Sequence, residues 1–170
     1  MKVMLVNGSS HIHGTTMKAL EEMARIFEDE GIETEIIQLG SKPLADCIQC
    51  NACRKSGECV FKDDGVNEFV EKARDADGFV FATPVYFAHP SGRIFSFLDR
   101  AFYSGSAAFA YKPGAAVASC RRAGTTATLD QLNKYFTINC MPVVSSQYWN
   151  QVHGFTPEDA VSYTHLTLPT

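Results

Sequence analysis

The sequence predicts an α/β domain, a doubly wound parallel sheet of five strands with helices on both faces. Short runs of consecutive hydrophobic residues alternate with amphipathic stretches along the chain, the pattern of buried strands separated by surface helices. Strand, helix, strand in strict succession requires parallel pairing through right-handed crossovers. The 170 residues suit one domain around a single core.

The elements follow in order. The first strand is residues 2–7. The first helix covers about residues 15–30, with Met17, Leu20, Met23, Ala24 and Phe27 at three- and four-residue spacings and Gly31 as its stop. The second strand is residues 33–39, centred on Ile36 and Ile37. A cysteine-rich insertion at 47–59 interrupts the alternation. Asp63 or Asp64 is then expected to cap a helix reaching about Arg74, followed by a third strand at 78–83 that Pro84 ends. Ser91 caps a helix carrying Ile94, Phe95, Leu98 and Phe102 on one face. The fourth strand, residues 115–119, is a run of small residues suited to burial between helices. A helix at 126–136 and a fifth strand at 142–146 complete the set. Five such strands fit the flavodoxin-like order 2-1-3-4-5, with the ligand at the switch point beside the first strand.

A helix to cover the fifth strand is expected to be missing. Val161-Ser162-Tyr163-Thr164-His165-Leu166 is what GTC TCT TAT ACA CAT CT encodes, which resembles the transposase end sequence used in sequencing libraries. Residues 1–160 are therefore expected to form the domain, and 161–170 a non-native tail read through from an adaptor.

Hydrophobic residues make up 45% of the chain and charged residues 20%, which excludes a disordered polymer. No apolar run approaches the ~20 residues of a membrane span. The apolar start is too short for a signal peptide, so a cytoplasmic protein without membrane partners is expected. The net charge is −4 and no block of like charge occurs, which argues against nucleic acid as a partner. Four of the six cysteines fall between positions 47 and 59. With no secretory signal they are not expected to form a disulfide framework.

The loop Gly8-Ser9-Ser10-His11-Ile12-His13-Gly14-Thr15-Thr16 joins a buried strand to a helix N-terminus. Unpaired N–H groups and the helix dipole there favour an anion, and the hydroxyls of Ser9, Ser10, Thr15 and Thr16 add donors. A P-loop needs four residues between its glycines and then Lys; here five intervene and Thr15 follows. The dinucleotide fingerprint is absent too. A single phosphomonoester fits the loop, and so does a plain capped helix start. Two further segments lie on the same edge of the sheet. Pro84-Val85-Tyr86-Phe87 leaves the third strand, either offering a ring face and backbone groups to a ligand or sealing the core. Ser119-Cys120-Arg121-Arg122-Ala123-Gly124 leaves the fourth, its arginines either ligand contacts or surface charge. Cys120 reads as a buried small residue, and Cys140 as a core residue.

Cys47, Cys50, Cys53 and Cys59 place three thiols at intervals of three and the fourth after six. Zinc sites use separated knuckles, whereas closely spaced cysteines around one corner resemble ferredoxin ligation of a 4Fe–4S cluster. A motif that holds no cluster, or a redox pair of Cys50 and Cys53, also fits.

Gly8-Ser9-Ser10 to Gly14-Thr15-Thr16 resembles the Gly-Ser-Pro-Arg…Gly-Asn-Thr loop of NADPH-dependent FMN reductases and iron–sulfur flavoproteins, with Ser10, His11 and Thr15 at the Pro, Arg and Asn positions. The Pro-Val-Tyr-Phe run and the cysteine spacing resemble the same family. The resemblance implies FMN bound by Ser9, His11, Gly14, Thr15 and Thr16 at its phosphate, and by Pro84, Val85, Tyr86, Phe87, Ser119, Arg121, Arg122 and Gly124 around its ring. It implies a 4Fe–4S cluster on Cys47, Cys50, Cys53 and Cys59. NAD(P)H would be the electron donor and a small molecule or redox protein the acceptor, in a homodimer or homotetramer. The flavin carries the chemistry, so no catalytic side chain is expected. A cluster-free quinone or azo reductase and a non-enzymatic electron carrier are the alternatives.

Overall fold

A computed structural model describes residues 1–160; the expected non-native tail, 161–170, lies outside the described residues. The chain runs β1 (Lys2–Asn7), α1 (Thr15–Asp29), β2 (Glu33–Gln38), α2 (Cys53–Ser56), α3 (Val66–Asp75), β3 (Gly78–Tyr86), β4 (His89–Pro90), α4 (Gly92–Gly105), β5 (Gly114–Cys120), α5 (Thr125–Ile138) and β6 (Gln151–His153). The strands pair in the order β2-β1-β3-β5-β6, all parallel, with β4 attached antiparallel to β3. This is the flavodoxin-like order.

Alternate residues of each strand face opposite layers. Met4, Val6, Phe79, Phe81, Ala116 and Ala118 pack under α3, α4 and α5, around Phe69, Phe97, Phe102, Phe109 and Phe136. Phe81 stacks on Phe136 at 5.2 Å and Phe102 on Phe109 at 4.5 Å. Each such ring contributes roughly 1.5–3 kcal/mol by burial, so this layer dominates the stability. Leu5, Val80, Ala82, Ala115 and Val117 form the other layer with Leu20, Met23 and Phe27 of α1. No helix among the described residues is long and apolar enough to cross a membrane.

Four local expectations are corrected. Cys140, expected in the core, is exposed, because the chain leaves α5 after Ile138 through a turn that holds Cys140 left-handed at φ 57°. Pro84 does not end the third strand: β3 pairs with β5 through Pro84↔Ser119. Pairing of β3 with β1 stops at Ala82, so beyond it β3 has a partner on one side only, where proline is tolerated. The turn falls instead at Phe87 and Ala88. The N-cap position of α3 is Gly65, one residue after the expected Asp63 or Asp64; the Asp64 carboxylate is held by Arg100 and reaches the helix start only through a long bond from the Val66 N–H at 3.4 Å. The fifth strand is residues 151–153, not 142–146; of the expected strand, Val143 makes one isolated bridge to Gly114. After β6, Asp159 accepts the Phe155 and Thr156 N–H groups, both at 3.0 Å, and residues 157–160 are helical, a start that was not among the expected elements.

Candidate functional site

The carboxyl ends of β1, β3 and β5 release three loops at one edge of the sheet. The first is anchored from beneath. Asn7 Oδ1 accepts the Ser9 N–H at 3.0 Å, and Asn7 Nδ2 donates to Gln38 Oε1 at 2.5 Å. Gln38 Nε2 in turn donates to the Ser9 carbonyl at 2.7 Å. Ser9 Oγ accepts the His11 N–H at 3.1 Å, and Ser91 Oγ donates to the Gly8 carbonyl at 2.8 Å. Gly8 is needed for close approach, since a Cβ there would stand 2.9 Å from Ile94. Gly14 is the N-cap of α1, extended and without a side-chain cap. The first-turn N–H groups therefore have no capping oxygen, which is the condition for anion binding at a helix start. Thr15 is half-buried beside them, and His11 and His13 are exposed.

The second and third loops close against each other. Beyond Pro84, β3 turns back through Phe87 and Ala88, both left-handed at φ 51° and 62°, into the pairs Val85↔Pro90 and Tyr86↔His89. Phe87 stands 99% exposed at the tip, and Tyr86 is 46% exposed. Gly124 lies directly against this hairpin at φ 96°, where a Cβ would sit 2.8 Å from Ala88 Cα. Between them is an open groove lined by Val85, Phe87, Ala88, Cys120, Arg121, Arg122 and Ala123. Arg121 places its guanidinium 5.0 Å from the centre of the Phe155 ring, and Arg122 is exposed. Burial pushes the Cys120 thiol up, with the Arg122 backbone acting against it, so Cys120 is a protonated wall residue.

The first loop is joined to the third by one contact. Thr16 Oγ1 and Ser119 Oγ, both buried, lie 2.7 Å apart. Every expected flavin-side residue thus falls on this edge, although the hydroxyls of Thr16 and Ser119 face each other.

The four clustered cysteines share a different pocket. Cys47, Cys50, Cys53 and Cys59 line it together with Phe61, Arg100 and Tyr103. Left-handed residues at Gln49 and Asn51, φ 52° and 57°, fold the chain so that α2 brings Cys53 back toward α4. The Cys53 thiol donates to the Tyr103 carbonyl at 3.8 Å, and Tyr103 Oη donates to Asn51 Oδ1 at 2.9 Å. Cys59 is gripped on both sides of its backbone: its N–H donates to Asn67 Oδ1 at 2.8 Å, and Asn67 Nδ2 donates to its carbonyl at 3.0 Å. Arg100 Nε donates to Cys59 Sγ at 3.2 Å. Among the described residues, no three or more His, Cys, Asp or Glu groups are gathered as tightly as one metal ion requires. A cubane cluster spaces its ligand sulfurs more widely than one ion does, and four thiols around one pocket fit that donor set.

Asn7, Gln38, Ser91, Asn67 and Arg100 were not expected as site residues. For Arg100 a signal existed, a cation three residues after Phe97 on the apolar stripe of a helix. The amides of Asn7, Gln38 and Asn67 carry no such signal, because their roles depend on contacts that reach up to 31 residues along the chain.

Residues 1–156 match the model of the NADPH-dependent FMN reductase family. The chain is 37% identical over 150 residues to an iron–sulfur flavoprotein of Methanocaldococcus jannaschii, covering 85% of this chain and 76% of that protein. It is 30% identical over 148 residues to an iron–sulfur flavoprotein of Methanosarcina thermophila, covering 85% and 77%. Among solved structures, a flavodoxin from the domain Archaea superposes with a TM-score of 0.63 at 14% identity, over 98% of this chain and 93% of the other. At that identity the likeness is one of fold.

Proposed function

Because the chain belongs to the NADPH-dependent FMN reductase family, we propose that it takes electrons from NAD(P)H onto one bound FMN and passes them through a 4Fe–4S cluster to a small-molecule or redox-protein acceptor. The observation that carries this reading is the meeting of three loops at one sheet edge, with an uncapped helix start beside an open aromatic groove. FMN, when bound, accepts hydride from the nicotinamide and releases electrons. The protein's share is placement. In this reading the α1 N-terminal amides and Ser9, His11, Gly14, Thr15 and Thr16 hold the phosphate. Pro84, Val85, Tyr86 and Phe87 border one side of the ring; Ser119, Arg121, Arg122 and Gly124 border the other. Positive charge from the arginines favours the electron-rich flavin.

The cluster part of the reading rests on four thiols lining one pocket and on the two iron–sulfur flavoprotein relatives. Cys47, Cys50, Cys53 and Cys59 would be its ligands. A cluster-free reductase is the second reading, favoured by the hydrogen bond from the Cys53 thiol to the Tyr103 carbonyl, a partner other than a cluster. We place the protein in the cytoplasm as a homodimer or homotetramer, the exposed Tyr86 and Phe87 beside the groove being aromatic surface that a second copy would cover.

Anaerobic purification, reconstitution with iron and sulfide, and absorbance with NADPH and NADH turnover test both parts. The expected result is stoichiometric FMN, iron and sulfide in equal amounts, and nicotinamide oxidation. FMN binding without iron uptake selects the cluster-free reading. No FMN uptake overturns the proposal.

A further inference from the structure

Arg100 is the largest fully buried side chain, 1% exposed in the middle of α4. A guanidinium carries five N–H donors, and here each has an acceptor. Nε donates to Cys59 Sγ at 3.2 Å. One terminal nitrogen donates to the Ala45 carbonyl at 3.2 Å and to Asp64 Oδ2. The other donates to the Phe61 carbonyl at 3.3 Å and to Asp64 Oδ1 at 3.0 Å. The Phe61 ring lies against the guanidinium carbon at 4.9 Å. The acceptors bracket the cysteine segment. Ala45 precedes Cys47, whereas Phe61 and Asp64 follow Cys59.

A buried charge is retained only where it is paired and hydrogen-bonded, since its desolvation is otherwise unfavourable. The Asp64 fork meets that need, yet it leaves three donors over, and these go to Cys59 and to the carbonyls of Ala45 and Phe61 on either side of the cysteine segment. Lysine offers a single point charge in place of this planar fork. Hydrogen bonds to the sulfurs and nearby charge are among the factors that set iron–sulfur potentials. From the bracketing contacts and the N–H···S bond we propose that Arg100 is a positioning residue that closes residues 45–64 into a preformed ligand pocket and makes the cluster easier to reduce. This rests on the reading that the four cysteines hold a cluster. Asn67, gripping the Cys59 backbone from α3, completes the clasp.

The test compares wild type, Arg100→Lys and the charge-balanced pair Arg100→Met with Asp64→Asn, all as the full chain. Three quantities are read: FMN per chain, the cluster midpoint potential in reconstituted protein, and amide hydrogen exchange of residues 45–64 in iron-free protein. Both variants should keep FMN while exchange across 45–64 accelerates. The paired variant should shift the electron partition away from the cluster on the order of tenfold, about 59 mV more negative for one electron. Arg100→Lys, which keeps a cationic N–H donor beside the Cys59 sulfur, should shift less. Wild-type potentials and wild-type exchange in both variants would overturn the proposal. Loss of FMN by both would overturn it too, since Arg100 would then support the whole fold rather than this pocket. If wild type takes up no iron, the cluster reading fails separately. The exchange measurement then tests the clasp alone, and unchanged exchange refutes it.

Discussion

Thr16 Oγ1 and Ser119 Oγ meet at 2.7 Å across 103 residues of sequence, tying the first turn of α1 to the end of β5. Both groups are buried, so removing one leaves the other unsatisfied. Thr16→Val should cost about 1–3 kcal/mol, and Ser119→Ala a similar amount. The double variant should cost clearly less than the sum, because no orphan hydroxyl remains. Urea unfolding of the four proteins in the cycle gives the coupling, and strict additivity would show the two hydroxyls to be independent.

Gly124 is expected to accept no side chain. Its φ of 96° and a Cβ position 2.8 Å from Ala88 Cα combine backbone strain with a backbone clash. Gly124→Ala should destabilise by about 1–3 kcal/mol. It should also push the hairpin off the groove, weakening FMN binding on the order of tenfold, the factor that 1.4 kcal/mol represents. Fluorescence titration of the apoprotein with FMN reads that loss, and unchanged affinity would place the flavin elsewhere.

What the sequence made visible, and what it hid, follows from the range of the forces involved. Alternation of apolar runs located β1, β2, α1 and β5 because burial of a strand or a helix face is written in local periodicity. Pro84 misled because its effect depends on whether a neighbouring strand lies on the side of the missing N–H, and pairing with β1 stops at Ala82. Val143 and Val144 are more apolar than Gln151 and His153, yet the latter pair with β5 through Ala118↔Gln151 and Cys120↔His153. Backbone register outweighed side-chain hydrophobicity there. The site loops were recognisable by their glycines, hydroxyls and cysteines. The residues that hold those loops were not, since an amide such as Gln38 becomes structural only through a partner brought near by the fold.

Ala88 offers a stabilising substitution. It sits at φ 62° beside Phe87 at φ 51°, in a tight hairpin turn whose central residues both need the left-handed region, the setting in which Asn-Gly is favoured. An L-residue there is strained by roughly 1–2 kcal/mol. Ala88→Gly removes that strain at an unfolded-state entropy cost of about 0.4–1 kcal/mol. The expected outcome is a net gain near ~0.5–1 kcal/mol, read as a higher urea midpoint with an unchanged slope. A lower midpoint would show that the turn is not strained.

The edge of the sheet remote from the site carries a pH signature. Lys72 Nζ lies 2.7 Å from Glu35 Oε1, and Lys2 Nζ lies 3.0 Å from Glu35 Oε2, bridging β1, β2 and α3. The hydrogen bond from Lys72, followed by that from Lys2, holds the Glu35 carboxyl below the ordinary carboxylate range. A depressed carboxylate contributes stability that is present above its unfolded pKa and is lost as pH falls through its folded value. Glu35→Gln should therefore lower stability at neutral pH, and its difference from wild type should vanish once the pH is below the folded pKa of Glu35. The same bond raises Lys72, so its contribution persists below the usual lysine pKa and disappears only in strong alkali. Because the lysine side chains are partly exposed, the neutral-pH difference should shrink with added salt. Urea midpoints of wild type and variant across pH and ionic strength check this. A difference that grew on acidification would reverse the sign and place the stabilising charge elsewhere.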